Sequence, residues 1–425
     1  VRYVQAYAAE APAGSIVVTR DGRTTGRMLA DLVRGTLQAT GREVHDADLA
    51  ATPTTGVLVR QLQAAGGIQI SASHNPPEYN GMKLFSPAGR VIPAEAGRKV
   101  VERYRAGGGE WVAYNKLGNA KAVADTTSAH WELIRQCVNV ERIRQRKFAV
   151  LLDSNHGAGS VLGRRLLDEL GCQVELVGGQ PDGRFEHPPE PLAENLSGVR
   201  SLVTRLQADV GFCQDPDADR LAIIDEQGRY IGEEYTLAIC ANHVLSEHPG
   251  PVVTNCSTSR MTEDLANKYG VPFYRSAVGE ANVVDVMLAE QATFGGEGNG
   301  GVIDPRVVLV RDSFVSMALV LDAIAKRELA VSRLVEELPR YSIVKTKIDL
   351  APDRVAEGLV ALQQRFGDAQ SDRMDGLRLD WPGKWLLVRA SNTEPIVRAI
   401  AEAPSQKEAS QLCAEAAEVL GKLSK

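Results

Sequence analysis

Three stretches of this chain repeat one pattern: "SIVVTRDGRTTGRMLADLVRGTLQATGREVHDAD" (15–48), "FAVLLDSNHGAGSVLGRRLLDELGCQVELVG" (148–178) and "PVVTNCSTSRMTEDLANKYGVPFYRSAV" (251–278). Each reads as a strand, a polar turn, a helix and a second strand. Two parallel strands cannot be joined by a tight turn, so the chain crosses over through a helix, and that helix covers one face of the sheet. In the first repeat the apolar positions 28, 29, 32, 33 and 37 define the helix face expected to be buried. The pattern therefore predicts an α/β protein with three related α/β domains built on mixed sheets. The C-terminal region differs: "KWLLVRASNTEPIVRAIAEA" has two strand-like runs around a polar loop, followed by an Ala/Glu/Leu-rich helix. It reads as a smaller α+β domain. Boundaries are expected at 1–127, 128–233, 234–343 and 344–425, and with no low-complexity linker between them the four should pack around a shared central cleft.

Composition removes several classes of function. Against 48 Lys and Arg stand 54 Asp and Glu, a net charge of −6 with no basic stripe, so neither nucleic acid nor an anionic membrane surface is an expected partner. No run approaches the roughly 18 apolar residues of a membrane span. The 6 cysteines are scattered without a CxxC pair, which suits a reducing, cytoplasmic compartment better than a disulfide framework or a zinc site. The chain opens on "VRYVQAYAAEA", which reads as the middle of a helix and raises the expectation that an N-terminal strand is missing.

Ligands of open α/β sheets bind beyond the carboxyl ends of strands, and four loops sit there. In "QISASHNPPEYNGMKL" (69–84), Ser73 ends a strand ahead of a Pro-Pro turn, with His74 directly behind it and Lys83 further on. Taken alone, such a serine is more often a turn cap than a nucleophile. In "VGFCQDPDADRLAIID" (210–225), Asp215, Asp217 and Asp219 aim hard oxygens at one point, as Mg²⁺ requires. A calcium EF-hand fails because Arg220 stands where that loop needs glycine. A haloacid-dehalogenase-type phosphatase would want Thr or Val at Asp219. In "ATFGGEGNGGVIDP" (292–305), glycines admit a ligand close to the backbone, and Glu297 and Asn299 suit vicinal sugar hydroxyls. In "LLVRASNTEPIVR" (386–398), Arg389, Ser391, Asn392, Thr393 and Arg398 offer the groups of a phosphate cradle.

Together these loops resemble the α-D-phosphohexomutase superfamily of phosphoglucomutases, phosphomannomutases and phosphoglucosamine mutases. "SASHNPPEYNGMK" is similar to its phosphoserine loop, "DPDADR" to its magnesium loop, "GEGNGG" to its sugar loop and "RASNTEP" to its phosphate loop. "RDGRTTG", "DSNHGAG" and "VGEANV" add support, in family order over essentially the whole chain. The resemblance implies that Ser73 is the phosphoserine and completes a Mg²⁺ shell with Asp215, Asp217 and Asp219. Arg220 would lie against the phosphoryl group, and His74 and Lys83 would line the transfer site, one of them handling protons. Glu297 and Asn299 would grip the sugar, while Arg389, Ser391, Asn392, Thr393 and Arg398 would hold the phosphate not being transferred. A hexose 6-phosphate and its 1-phosphate would interconvert through a hexose 1,6-bisphosphate, which also serves as activator.

Two departures stand out. Many relatives carry a histidine where this chain has Gly301, so proton handling would fall to Lys83, His74 or another group. The N-terminal strand of the family, with its Gly-rich turn and an arginine near the phosphoserine, has no counterpart here. "GEGNGG" ranks phosphoglucosamine mutase ahead of phosphoglucomutase/phosphomannomutase. A Mg²⁺-dependent sugar phosphatase and a non-catalytic sugar-phosphate sensor are the remote alternatives.

Overall fold

The apolar runs "IVVTR" and "GIQI" become neighbouring strands with both faces covered, the environment that unbroken β-branched runs suit. The computed structural model describes residues 1–390 and 396–423. The first sheet runs Met82–Phe85, Gly66–Ile70, Ile16–Arg20, Val44–Leu49, Ala120–Ala122. The second runs Gln173–Val177, Ala149–Asp153, Val210–Gln214, Leu221–Asp225, and the third Phe273–Ser276, Val252–Asn255, Phe294–Glu297, Gly301–Ile303. In all three, parallel strands give way at one edge to an antiparallel one, pairing Gly66–Ile70 with Met82–Phe85, Val210–Gln214 with Leu221–Asp225, and Phe294–Glu297 with Gly301–Ile303. The three candidate loops are thus the bends of equivalent hairpins.

The last sheet is antiparallel throughout, in the order Ser342–Asp349, Ile396–Ala403, Lys384–Ala390, Leu377–Trp381, Gln370–Asp372. Helices Val355–Arg365 and Gln406–Gly421 pack on it around a separate core that includes Leu362, Leu386 and Leu420. The strand Ser342–Asp349 spans the position where the third and fourth domains were expected to divide. Helix Ser313–Arg327 is buried from Ser313 through Ala325, as a largely apolar helix must be. Asp312 starts it by accepting from the Phe314 amide at 2.8 Å, a cap worth about 1 kcal/mol.

One reading of the first repeat is corrected. Helix Gly26–Ala39 buries Gly26, Ala30, Val33 and Leu37, while Met28 and Leu32 are exposed. At about 100° per residue, Met28 and Leu32 point roughly 200° and 240° away from Gly26, on the far side from the sheet. The stripe through Gly26, Ala30 and Val33, with two small members, lets the helix approach closely, and that outweighs the larger apolar side chains.

A long loop after Gln173–Val177 straps the second domain to the first. His187 Nε2 lies 2.7 Å from Asp153 Oδ2, the Arg23 guanidinium lies 5.2 Å from the Phe185 ring centre, and Gly183 fits against Gly22 in the left-handed region at φ +71°. Burial disfavours the His187 charge, but Asp153 outweighs it and raises the pKa above 6.5. A raised folded-state pKa adds stability that is fully present below the unfolded value and is lost as pH rises through the folded one. His187→Gln should therefore lower the melting temperature at pH 5.5 more than at pH 8.5, read by scanning calorimetry at the two pH values.

Candidate active site

Ser73 is 8 % exposed and adopts φ +48°, which turns its hydroxyl out of the strand direction. The loop holding it is clamped by Arg23. That guanidinium donates to the carbonyls of Ser73 and Asn75, both at 2.6 Å, Pro76 at 2.7 Å and Tyr79 at 3.0 Å, and to Asp21 Oδ2 at 3.1 Å. Ser71 Oγ donates to the same Asp21 oxygen at 2.8 Å and accepts the Ser73 amide at 2.9 Å. Ser73 Oγ then donates to Asp215 Oδ2 at 2.9 Å and lies 3.2 Å from His74 Nδ1.

The aspartate loop is fixed by its neighbours. Its Asp217 carbonyl accepts the Thr52 amide at the start of helix Thr52–Gln61 (2.9 Å), the Pro216 carbonyl accepts Ala158 N–H (2.8 Å), and the Ala218 carbonyl accepts Ser313 Oγ (2.7 Å). A β-carbon at Gly157 would lie 2.5 Å from the Pro216 carbonyl oxygen, so glycine lets the two loops nest. The result is three fully buried carboxylates, each with a ligand oxygen within 4.8 Å of the others. Lys83 Nζ spans Asp217 Oδ2 (2.6 Å) and Asp219 Oδ2 (2.7 Å), Thr52 Oγ1 donates to Asp217 Oδ2 (2.5 Å), and Arg311 Nη2 donates to Asp219 Oδ2 (2.7 Å). Asp215 Oδ1 accepts the amides of Asp219 and Arg220, both at 3.1 Å.

Burial, with Asp219 and Asp217 beside it, pushes Asp215 well above the usual carboxylate range. Burial also opposes ionisation of Asp219, but Arg311, Lys83 and Arg220 more than offset it and hold that carboxyl far below. Lys83 is desolvated as well, yet Asp217 and Asp219 raise its pKa above that of a free lysine. It stays charged, so of the two groups considered for proton handling it is His74 that can accept one. Burial and the Arg220 charge lower the His74 pKa and keep its ring neutral at pH 7.

The residues fit a divalent cation on chemical grounds. Asp217 Oδ1 and Asp219 Oδ1 are buried and accept no hydrogen bond. A buried anionic oxygen without a donor is costly, and hard carboxylate oxygens at one point are the ligands Mg²⁺ takes.

A cavity of 660 Å³ joins the other elements. His74, Arg220, Glu297 and Asn299 line it, together with Arg389 and Arg398 from strands of the C-terminal sheet. Arg389 pairs with Asp375 at 3.1 Å. Arg220 lies 3.9 Å from Asp219 and 3.8 Å from Glu190. Ser391, Asn392 and Thr393 lie outside the described residues. Glu297 is not an isolated acceptor: Arg311 Nη1 (2.7 Å), Asn255 Nδ2 (2.7 Å) and the Gly279 amide (3.2 Å) all donate to it.

Sequence reasoning passed over Arg23, Thr52, Arg311, Lys345 and Lys347, the two lysines also lining the cavity. Arg23 sits in the quoted turn "RDGRTTG", at the carboxyl end of a strand where a basic residue has work to do. Arg311 precedes a largely apolar helix, but nothing in its local spacing marks it as a site residue. Thr52 and the two lysines lie in stretches with no distinctive spacing.

Three equivalent hairpin bends, with a buried serine against a carboxylate triad beside one cavity, define a class of phosphoryl-handling α/β proteins. The chain belongs to the phosphoglucomutase/phosphomannomutase family, the α-D-phosphohexomutase superfamily. Its α/β/α domains I, II and III match residues 1–109, 128–228 and 233–341, and its C-terminal domain matches 353–419. A phosphoglucomutase/phosphomannomutase of Thermococcus kodakarensis is 40% identical over 93% of this chain and 87% of its own length. A probable phosphoglucosamine mutase of the same organism is 32% identical over 96% and 91%. Among solved structures, a phosphoglucomutase/phosphomannomutase family protein from Burkholderia thailandensis aligns over 99% of this chain and 92% of its own, with TM-score 0.86 and 25% identity.

Proposed function

We propose that the chain is a phosphohexomutase, exchanging hexose 6-phosphate and hexose 1-phosphate through a phosphorylated Ser73. The observation that carries this reading is the Ser73 hydroxyl held 2.9 Å from Asp215 in a buried carboxylate triad beside a sugar-sized cavity lined by Arg220, Lys345, Lys347, Arg389 and Arg398. O1 and O6 of a hexose are too far apart for one in-line displacement, so the phosphoryl group has to be parked on the protein. In the first transfer the free sugar hydroxyl bonds to phosphorus, the Ser73 Oγ–P bond breaks, and the hydroxyl proton passes to neutral His74. The hexose 1,6-bisphosphate turns over inside the cavity. Ser73 Oγ then bonds to the other phosphorus, that phosphorus–sugar oxygen bond breaks, and the proton on His74 passes to the leaving sugar oxygen, releasing the opposite monophosphate. A basic wall that holds either end of the bisphosphate is what this turnover needs.

Mg²⁺ held by Asp215, Asp217, Asp219 and the Ser73 phosphate would neutralise charge on the transferring phosphoryl group. Lys83 and Arg311 keep Asp219 ionised, and Arg220 faces the same group. A hexose 1,6-bisphosphate would prime the serine. The setting is a reducing cytoplasm, which six unpaired cysteines suit.

Within this activity we favour a 2-amino sugar. Glu233 and Glu234 line the cavity, and Glu234 packs so tightly on Gly298 that a β-carbon there would lie 2.1 Å from its oxygen. Burial pushes both carboxyls up, and Glu233 Oε1 has no hydrogen-bond partner, so a ligand ammonium would supply the missing donor and counter-charge. A glucose or mannose phosphate is the second reading, favoured by the 40% identity to the relative named phosphoglucomutase/phosphomannomutase. ³¹P NMR with Mg²⁺ and a catalytic amount of glucose 1,6-bisphosphate decides between them. Glucosamine 6-phosphate should give its 1-phosphate with the highest kcat/KM; faster conversion of glucose or mannose 6-phosphate would reverse the order. Release of inorganic phosphate alone would favour a phosphatase.

A further inference from the structure

Gly301, in the sugar loop, has no side chain, and the structure shows what fills the space. A β-carbon built on Gly301 would lie 2.2 Å from Arg311 Cδ and 2.8 Å from its Cγ. The Arg311 side chain passes through that opening and ends between two loops. Nη2 donates to Asp219 Oδ2 at 2.7 Å in the aspartate loop, and Nη1 donates to Glu297 Oε2 at 2.7 Å in the sugar loop. Its Nε and its own amide both donate to Glu280 Oε2 at 3.1 Å, which fixes the plane of the fork. The side chain is 11 % exposed.

The backbone beneath it is equally constrained. Asp312 donates its amide to the Val302 carbonyl at 2.8 Å and caps helix Ser313–Arg327, and Ser313 Oγ holds the Ala218 carbonyl at 2.7 Å. One short segment therefore touches the sugar hairpin, the aspartate loop and the central helix together.

We propose that Arg311 is a positioning residue that links sugar capture to metal capture, and that Gly301 is the opening that lets it reach both. The inference rests on the phosphohexomutase reading above. Lys83 and Arg311 both bond Asp219 Oδ2, which leaves the buried Oδ1 without a donor and available to a cation. On the other side, Arg311 and Asn255 grip the two oxygens of Glu297 separately and fix its plane against the cavity. The guanidinium uses three separate nitrogens, Nε, Nη1 and Nη2, to hold Glu280, Glu297 and Asp219 in one plane, a geometry that a lysine ammonium on a flexible stem does not reproduce.

The test uses the full chain with Arg311→Ala, Arg311→Lys, Gly301→Ala and the Arg311→Ala/Gly301→Ala pair. Mn²⁺ binding followed by EPR reports the aspartate end, KM for the preferred hexose 6-phosphate reports the sugar end, and the melting temperature reports folding. Arg311→Ala and Gly301→Ala should each change the Mn²⁺ Kd at least fivefold, raise KM at least fivefold and lower kcat. The pair should be no worse than Arg311→Ala alone, because the glycine matters only through the arginine. Arg311→Lys should restore at most one of the two ends. A change at one end only, a silent Gly301→Ala, or additive losses in the pair would overturn the proposal. If Arg311→Ala fails to fold, Gly301→Ala retains every charge and carries the test alone. Loss of mutase activity in the unaltered chain is a separate result and strikes the functional reading instead.

Discussion

Ser73→Ala should reduce conversion of hexose 6-phosphate by roughly four to six orders of magnitude while leaving the fold intact. The hydroxyl is the only atom removed, and its partners are Asp215 and His74 at the site itself. Alanine and serine pay a similar penalty at φ +48°, so the loop keeps its shape. Ser73 also contributes its backbone to the Arg23 clamp through its carbonyl, which the substitution does not touch. The melting temperature of Ser73→Ala should therefore stay within a few degrees of the parent. Adding hexose 1,6-bisphosphate should not restore turnover, since the acceptor atom is gone. Recovery of activity with the bisphosphate would mean that a different group accepts the phosphoryl.

Arg23→Ala should do the opposite kind of damage. Arg23 is 2 % exposed and holds four carbonyls of the loop that carries Ser73, together with Asp21. Removing it leaves the four carbonyls without their guanidinium donor and the buried Asp21 carboxylate without its counter-charge, at a cost of about 3–5 kcal/mol by analogy with broken buried ion pairs. Burial already pushes the Asp21 carboxyl up to about 6, against the pull of the Arg23 amide, Ser71 and the Arg23 charge; losing that charge would raise it further. The variant should melt well below the parent and lose at least a hundredfold in kcat. Arg23→Lys should recover little of either, because one ammonium cannot satisfy carbonyls on four residues. Limited proteolysis near Pro76 and Pro77 gives an independent readout of the loosened loop. An Arg23→Ala protein with native stability and a native kcat would show that the clamp is not what holds the serine.

The repeated strand–turn–helix pattern made the three α/β domains legible because period and punctuation are local properties of a chain. The edge hairpins were legible in part. "GIQIS", "VGFCQ" and "ATFGGE" announce their strands, but nothing local says that the next strand turns back antiparallel, so the equivalence of the three bends appears only in the folded sheets. Residue types at the site were readable where chemistry forces spacing, as with Asp215, Asp217 and Asp219. Arg311 was not, because its meaning depends on an empty place 10 positions earlier in the chain, at Gly301, and on two carboxylates distant in sequence, Glu297 of its own domain and Asp219 of another. The misjudged face of helix Gly26–Ala39 has the same origin: apolar size favoured Met28 and Leu32, whereas close packing on the sheet selected Gly26 and Ala30.

Ser73 as the carrier of the phosphoryl group is the central claim, and labelling tests it most directly. The protein is incubated with Mg²⁺ and [³²P]glucose 1,6-bisphosphate, quenched, digested, and the labelled peptide is sequenced and treated with hydroxylamine. The account predicts close to one phosphate per chain, on the peptide containing "SASHNPPEYNGMK", stable to hydroxylamine and absent from Ser73→Ala. Label on the "DPDADR" peptide that hydroxylamine removes would reveal an aspartyl phosphate and contradict it.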